Sequence, residues 1–233
     1  MTLFYLPEIT SGINFLSPED SFHCSKVLRL KNDDSIQIVN GKGTLYNAIL
    51  TESNPKKCFF EITALEENYG KRPYYIHIAI APTKNMDRFE WFLEKSTEIG
   101  IDEITPLLCE HSERKNVNFE RMEKIIIAAM KQSKKAYFPK LNQMTFYKDF
   151  LEYNNSSVKM IAHCSTGSKE NIKKMKISLK NTTILIGPEG DFSEKEINLA
   201  RQKAYYEINL GSFRLRTETA GVIACHTISL LNE

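Results

Sequence analysis

The stretch GSFRLRTETAGVIAC, residues 211–225, sets Arg214 and Arg216 directly ahead of what reads as the first turn of a buried helix. The positive end of a helix macrodipole disfavours cations there. Two arrangements tolerate them. Either the guanidinium groups reach out into water, or an anion sits between them and the helix amides. Thr217 reads as the cap of this helix, and Glu218 in its first turn suits the dipole without any further role. The second arrangement would make the segment a recognition site for negative charge.

A second loop has the composition of a ligand contact. In TTILIGPEGDFSEKEI, Gly187 and Gly190 bracket Pro188 and Glu189 just beyond an apolar run that reads as a strand. Open α/β sheets bind ligands at the carboxyl ends of their strands, and glycine lets backbone approach a bound molecule closely. Ser193 and Glu196 read as a capping box that starts the next helix. The loop carries neither G-K-[ST] nor G-x-G-x-x-G, so it is not a familiar phosphate cradle. A tight strand-to-helix connection is the alternative reading. Were the two loops to close neighbouring strands, they would form one site, glycine-lined on one side and cationic on the other.

The elements that would position these loops fall into two regions. Residues 1–70 are β-rich. TLFYLP, SIQIV, TLYNAIL and CFFEITAL read as strands, with a hairpin turn at NGKG, residues 40–43. SPEDSFHCSKVLRL reads as a short helix capped by Ser17, with Pro18 at its first position and Asp20 three residues after the cap. A small barrel is the expected outcome. The polar segment EENYGKRP, residues 66–73, reads as a linker.

From residue 71 to 233 strands alternate with helices. YYIHIAIAP, EITPLLC, VKMIAHC, TTILIG and YEINLG are the strand candidates. DRFEWFLEKSTEIG, FERMEKIIIAAMKQSKK, SEKEINLARQKA and an apolar stretch at residues 220–231 are the helix candidates. Asp87 with Glu90 reads as the N-terminal box of the first helix, and Gly100 as its stop. This rhythm predicts an α/β fold with a parallel sheet.

Composition limits the remaining possibilities. A chain of 233 residues, 42% apolar and 26% charged, can bury a substantial core. Its formal net charge of +2 excludes a polycation that coats nucleic acid indiscriminately. Residues 114–140 nevertheless hold eight Lys and Arg against Glu120 and Glu123, which reads either as a solvated helix face or as a phosphate-contacting patch. The five cysteines are far apart, odd in number and without a C-x-x-C, so buried reduced thiols are expected and no metal. Cys109 and His111 alone are too few ligands for zinc. Apolar runs fall short of the roughly 18 residues a spanning helix needs, and MTLFYLPEIT lacks the features of a secretion signal. A cytoplasmic protein with no membrane partner is the expectation.

GPEG followed by FS..E, then LG...LRTETA, together with FHCSKVLRL, NGKG, KNMDRFEWFLEKSTEIGIDEITPL and AAMKQSKK, resembles one family in order and over nearly the whole chain. It is the bacterial ribosomal RNA small-subunit methyltransferase E family, the uridine-N3 methyltransferases of the SPOUT superfamily. The resemblance implies a PUA-like β-barrel domain over residues 1–70. It implies a SPOUT methyltransferase domain over 71–233, a parallel sheet closed by a C-terminal trefoil knot, and a homodimer. S-adenosylmethionine would bind against Ile186, Gly187, Pro188, Glu189, Gly190, Leu210, Gly211 and Leu215, with Cys164 nearby. The methyl group would pass to N3 of a uridine in small-subunit ribosomal RNA, as naked RNA or in the assembled 30S subunit. A catalytically inactive RNA-binding relative, or an enzyme acting on another RNA, is the alternative.

Uracil N3 carries a proton and is a poor nucleophile until it is lost. The site therefore needs a base, or cations that stabilise the imide-like anion. Arg216 is the first candidate for that cation, an RNA phosphate or the carboxylate of the cofactor being its other possible partners. Glu218 is the candidate base, with Glu189 behind it. RNA contacts are expected from His23, Arg29, Gln132, Ser133, Lys134, Lys135 and Arg214. An aromatic or arginine platform for the unstacked base is expected as well, with no residue assigned to it. The chain departs from the family pattern at four places. Leu3 replaces a usual arginine, Ser212 and Phe213 a usual proline and arginine, and Asp33 and Asp191 usual glycines.

Overall fold

The computed structural model describes residues 2–9, 14–175 and 177–233. The chain divides into two compact units, one of residues 1–71 with 130–138, the other of residues 72–129 with 139–233. The elements of the sequence run consecutively, but the units do not.

In the first unit, β1 (Leu3–Tyr5), β2 (Ser35–Val39), β3 (Leu45–Glu52) and β4 (Phe59–Glu66) form a sheet in the order β1-β2-β3-β4. β1 runs parallel to β2, and the other pairs are antiparallel. The alternation in SIQIV sends Ile36 and Ile38 into a core with Phe4, Leu50 and Phe60. Asn40 closes the β2–β3 turn by accepting from the amides of Lys42 and Thr44 through its side-chain oxygen. Ser17 caps α1 (Pro18–Phe22), its Oγ accepting from the Asp20 amide at 3.1 Å.

The single helix expected next is in fact two pieces, because α1 widens into a π-helical turn over His23–Val27. Within it the Ser25 hydroxyl donates back to the Ser21 carbonyl at 2.9 Å, a side-chain competitor for backbone hydrogen bonding. Residues 130–138 join this unit through Met130 and Ala136, which pack with Leu3, Val39 and Leu45. The Gly43 amide also donates to the Ala136 carbonyl and the Phe138 amide to that of Gly41.

The second unit begins with β5 (Tyr75–Ile80), α2 (Met86–Ile99), β6 (Glu103–Leu108) and α3 (Phe119–Gln132). The last turn of α3 belongs to the first unit. Then come β7 (Lys140–Leu141), β8 (Thr145–Phe146), α4 (Tyr147–Tyr153), β9 (Val158–Ala162) and β10 (Glu170–Asn171), followed by β11 (Asn181–Ile186), α5 (Glu194–Gln202), β12 (Tyr206–Asn209) and α6 (Thr217–Leu230). The sheet order is β10-β12-β9-β11-β5-β6-β7, with β8 also on β6. Every pairing in it is parallel, as the alternation of elements predicts. Ala79, Ile161 and Leu185 pack under α4 and α5. On the other face α6 meets α2 and β5, where a Cβ on Gly221 would lie 2.7 Å from the Phe92 ring and 2.9 Å from Ile80. Only a residue without a side chain lets the helix sit so close.

Helix starts differ from expectation in two places. Asn85, not Asp87 with Glu90, caps α2, its side chain accepting from the Asp87 amide at 3.0 Å. Asparagine is a strong cap and stands two residues earlier, which leaves Glu90 to pair with Arg121. Helix α6 starts at Thr217, one residue before the start that a Thr217 cap implies, with Arg216 in the cap position. The capping box of Ser193 and Glu196 at α5 and the left-handed stop at Gly100 agree with the sequence. Among the described residues no helix is long and apolar enough to cross a membrane, and no group of three His, Cys, Asp or Glu is placed to hold a metal ion.

A polar network missed by sequence reasoning is buried on the α4 side of the sheet. His77, only 6% exposed, hydrogen-bonds Thr105 Oγ1 through Nε2 at 2.8 Å and Thr183 Oγ1 through Nδ1 at 3.3 Å. Tyr75, Lys140 and Asn142 all donate to the Glu103 carboxylate beside it. Burial, helped by Lys140 and opposed by Glu103, pushes the His77 pKa down to about 4. The unfolded chain, with an ordinary value of 6.5, takes up this proton first as pH falls. His77 thus favours the fold fully above pH 6.5, and the advantage is lost on descent toward pH 4. Urea unfolding of wild type should show a loss over that window of roughly 3 kcal/mol from this group. His77→Gln, which keeps a hydrogen-bonding side chain but cannot titrate, should flatten the profile. An unchanged profile in the variant would remove His77 as its source.

Candidate active site

The strand-end loops after β11 and β12 line one cavity of about 660 Å³. Ile186, Gly187, Pro188 and Glu189 supply one side, and residues 210–217 the other, with Cys164 at the rim of β9. The structure therefore brings together all but one of the residues expected to hold the cofactor. Gly190 is the exception. It stands outside the lining, where a Cβ would approach that of His111 at 3.1 Å, and its carbonyl faces the His111 ring.

Thr217 joins the two loops. It was expected to cap α6, but its hydroxyl donates instead to the carbonyl of Gly187 at 3.1 Å, and both residues are buried. Its side chain is spent across the cavity floor, so the cap position falls to Arg216, which makes no side-chain cap bond. Gly211, at φ +151, takes a backbone conformation that side chains disfavour. Among the described residues, no hydrogen bond engages the backbone amides of residues 211–215. Those donors are left for water or a ligand.

Arg214 and Arg216 are exposed, line the cavity, and make no ion pair among the described residues. Arg88 and Lys169 add to the same positive lining. Three carboxylates bear on the site, and they differ in what they are free to do. Glu189 accepts from the Lys84 amide through Oε1 at 2.9 Å, leaving Oε2 without a partner among the described residues. Asp191 is fully used, its Oδ2 accepting from the Cys164 amide at 2.7 Å and its Oδ1 from the Phe192 amide at 2.8 Å. Glu218 lies outside the lining, 6% exposed, with Oε2 buried and unpartnered among the described residues. Of the two candidate bases, Glu189 lines the cavity and Glu218 does not.

His163, Lys169, Arg88 and Asp191 also line the cavity, and sequence reasoning assigned none of them. His163, Lys169 and Arg88 come from segments that only the fold brings together, so no spacing marks them, whereas Asp191 directly follows the glycine loop. His163 is held by Glu207, Nε2 to Oε2 at 3.0 Å, while burial and the nearby Lys169 push its pKa down in spite of that partner. Its imidazole is therefore a neutral wall at neutral pH. Asp191 has φ +64 and Asp33 φ +69, at the two positions where the resemblance leads to glycine. Both positions are left-handed, and aspartate is among the side chains that tolerate this.

Apart from Arg214, the residues expected to touch RNA fall in the first unit. His23 is exposed on the π-helical turn, and Arg29 is exposed at φ +56. Gln132 ends α3, Ser133 follows it with its hydroxyl toward the Met130 carbonyl, and Lys134 stands exposed at φ +54 ahead of Lys135. An ion pair from Lys131 to Asp20, 2.8 Å, ties the end of α3 to α1. Leu3 makes no such surface contact, because its side chain is buried in the core with Val39 and Met130.

Residues 70–229 match a family described as the RNA methyltransferase domain, and residues 16–63 one described as the RNA methyltransferase PUA domain. The chain is 31% identical, over 90% of its own length and 85% of the relative, to ribosomal RNA small subunit methyltransferase E of Buchnera aphidicola subsp. Acyrthosiphon pisum. It is similar to the crystal structure of a probable rRNA-methyltransferase from Porphyromonas gingivalis, with a TM-score of 0.94 and 36% identity, covering 100% of this chain and 98% of that one. It is also similar to a Neisseria gonorrhoeae ribosomal RNA small subunit methyltransferase E bound to S-adenosyl methionine, with a TM-score of 0.89, 26% identity and the same coverage.

The Thr217 contact has a direct test. Thr217→Val keeps the shape but leaves the buried Gly187 carbonyl without its donor, a cost of about 1–3 kcal/mol in unfolding free energy. Calorimetry with S-adenosylmethionine should show weaker binding in Thr217→Val and near-normal binding in Thr217→Ser. Equal affinity in both variants would mean that the loops hold their spacing without this bond.

Proposed function

Because the chain belongs to the RNA methyltransferase family that its residues 70–229 match, we propose that it methylates N3 of one uridine in small-subunit ribosomal RNA, with S-adenosylmethionine as donor. The observation that carries this is the single cavity shared by the glycine loop and the arginine loop. Its residues fit that cofactor. The volume lies within the range of small-molecule sites. Ile186, Ile208, Leu210 and Leu215 offer apolar walls for a purine, and the unengaged amides of residues 211–215 offer donors to its polar groups. When bound, the cofactor supplies an electrophilic methyl group on a sulfonium.

The chain's own residues then have to make uracil N3 nucleophilic. Arg216, unpaired at the start of α6, stabilises the negative charge that appears on the ring as its proton leaves. A cation placed where that charge develops is worth about 10²–10³ in rate. Glu189, whose Oε2 is uncommitted at the cavity, is the carboxylate placed to take that proton, directly or through one water. Glu218 has no equivalent access. Arg214 faces the same cavity and is assigned to RNA phosphate or to the uracil oxygens. His23, Arg29, Gln132, Ser133, Lys134 and Lys135 are assigned to RNA bound by a PUA-like first domain.

The same reading takes the second domain to be a SPOUT fold with a trefoil knot. In its support, β12 lies between β10 and β9 while α6 returns to pack on β5. It also takes the protein to be a cytoplasmic homodimer that acts on RNA alone or on the assembled 30S subunit.

Mass mapping of small-subunit ribosomal RNA from cells lacking the protein should show one uridine without its N3 methyl, restored by the wild-type gene. Arg216→Ala should lower kcat by about 10²-fold or more while changing the affinity for S-adenosylmethionine only slightly. If Arg216→Ala or Arg216→Lys kept full turnover, the charge-stabilising role would pass to another residue. An unchanged modification map would end the functional assignment.

A further inference from the structure

We propose that Phe213 is the platform on which the target uracil stacks when it is unstacked from the RNA, a proposal that rests on the function given above. Phe213 is 86% exposed, the most exposed of the large apolar side chains among the described residues. It lines the cavity together with Arg214 and Arg216. No ring pair or cation–π contact engages it among the described residues.

A chain gains roughly 1.5–3 kcal/mol by burying a phenylalanine, and here it forgoes that gain at the mouth of the cavity. The geometry suits a flat heterocycle. A base stacked through its face keeps its edge free, and N3 lies on that edge between two carbonyl oxygens. The arginines at positions 214 and 216 follow the platform in sequence and line the same cavity, so their guanidinium groups can meet the oxygens that take up charge as the N3 proton leaves. A phenyl ring offers a planar face able to stack on a base. Phe213 is thus a positioning residue for the base, distinct from the charge-stabilising role of Arg216.

The test is a double comparison of binding, made in the presence of S-adenosylhomocysteine. Wild type and Phe213→Ala are each titrated with small-subunit ribosomal RNA carrying either uridine or an abasic site at the modified position. Stacking predicts that Phe213→Ala loses about tenfold in affinity for the uridine RNA and nothing for the abasic RNA. Phe213→Tyr and Phe213→Trp should restore binding, and KM for RNA should rise in Phe213→Ala without change in cofactor affinity. Equal losses on both RNAs would place Phe213 against another part of the RNA and overturn the proposal. So would a normal Phe213→Ala, or a variant that loses a dimer in sedimentation, since Phe213 would then cover a second copy of the chain. Failure of the wild type itself to methylate uridine N3 would be a failure of the functional reading, visible without any variant.

Discussion

The hydrogen bond from the Thr217 hydroxyl to the Gly187 carbonyl is the constraint on which the site depends. It joins the end of one central strand to the first residue of the last helix, across thirty residues of sequence, and it is buried at both ends. The sheet order sets the ends of β11 and β12 one strand apart, and the bond fastens the glycine loop to the start of α6 at the edge of the cavity that both loops line. The helix side of the bond is seated by packing rather than by its own cap. The bare Cα of Gly221 lets α6 lie directly on Phe92 and Ile80, so the start of the helix, and Arg216 with it, is located by apolar contacts farther along the helix.

This seating explains why cations can stand where the helix dipole opposes them. The penalty at a helix N-terminus is a few tenths of a kcal/mol to about 1 per charge and is weakened by exposure, whereas the burial of α6 stabilises the fold far more and does so independently of the loop. The protein can therefore hold Arg214 and Arg216 without partners. The neighbouring groups do not cancel them. His163 is kept neutral by burial, and both oxygens of Asp191 are spent on backbone amides. What remains at the cavity is a positive field with one carboxylate oxygen, that of Glu189, left uncommitted. Such a site favours a ligand that becomes more negative as it reacts.

Much of this was legible in the residues. The parallel α/β order, the capping box at Ser193, the stop at Gly100 and the turn at Asn40 all depend on local signals that tertiary packing did not overrule. The glycine and arginine loops were legible for the same reason. What stayed hidden depends on contacts distant in sequence. Thr217 reads as a cap because threonine at a helix start is usually one, and nothing local shows that its hydroxyl is claimed by Gly187. Glu218 reads as a candidate base because uracil N3 must lose a proton and LRTETA carries that carboxylate, yet Glu218 lies outside the cavity lining. The place of residues 130–138 in the first unit follows from the packing of Met130 and Ala136 on Leu3 and Leu45. In the sequence Met130 merely continues a helix and Ala136 merely follows it. The His77 network joins groups from β5, β6, β7 and β11, which no periodicity connects.

The positions where the chain departs from the pattern it resembles show which features the site requires. At Asp33 and Asp191 the usual glycine is gone, yet the left-handed backbone is retained. A side chain in that conformation costs about 1–2 kcal/mol. At Asp191 the two hydrogen bonds its carboxylate accepts, each worth about 1 kcal/mol, offset that cost and also fasten Cys164 to the glycine loop. Loop shape is therefore preserved by a different means. At Leu3, where the resemblance leads to an arginine, the chain has a core residue that closes the packing around Met130. The requirement common to these sites is the backbone path and the core beneath it, and not the residue type. On that logic Phe213 stands apart. It neither rescues a backbone conformation nor fills a core, so folding supplies no reason for it, and the reason has to be sought in what the cavity binds.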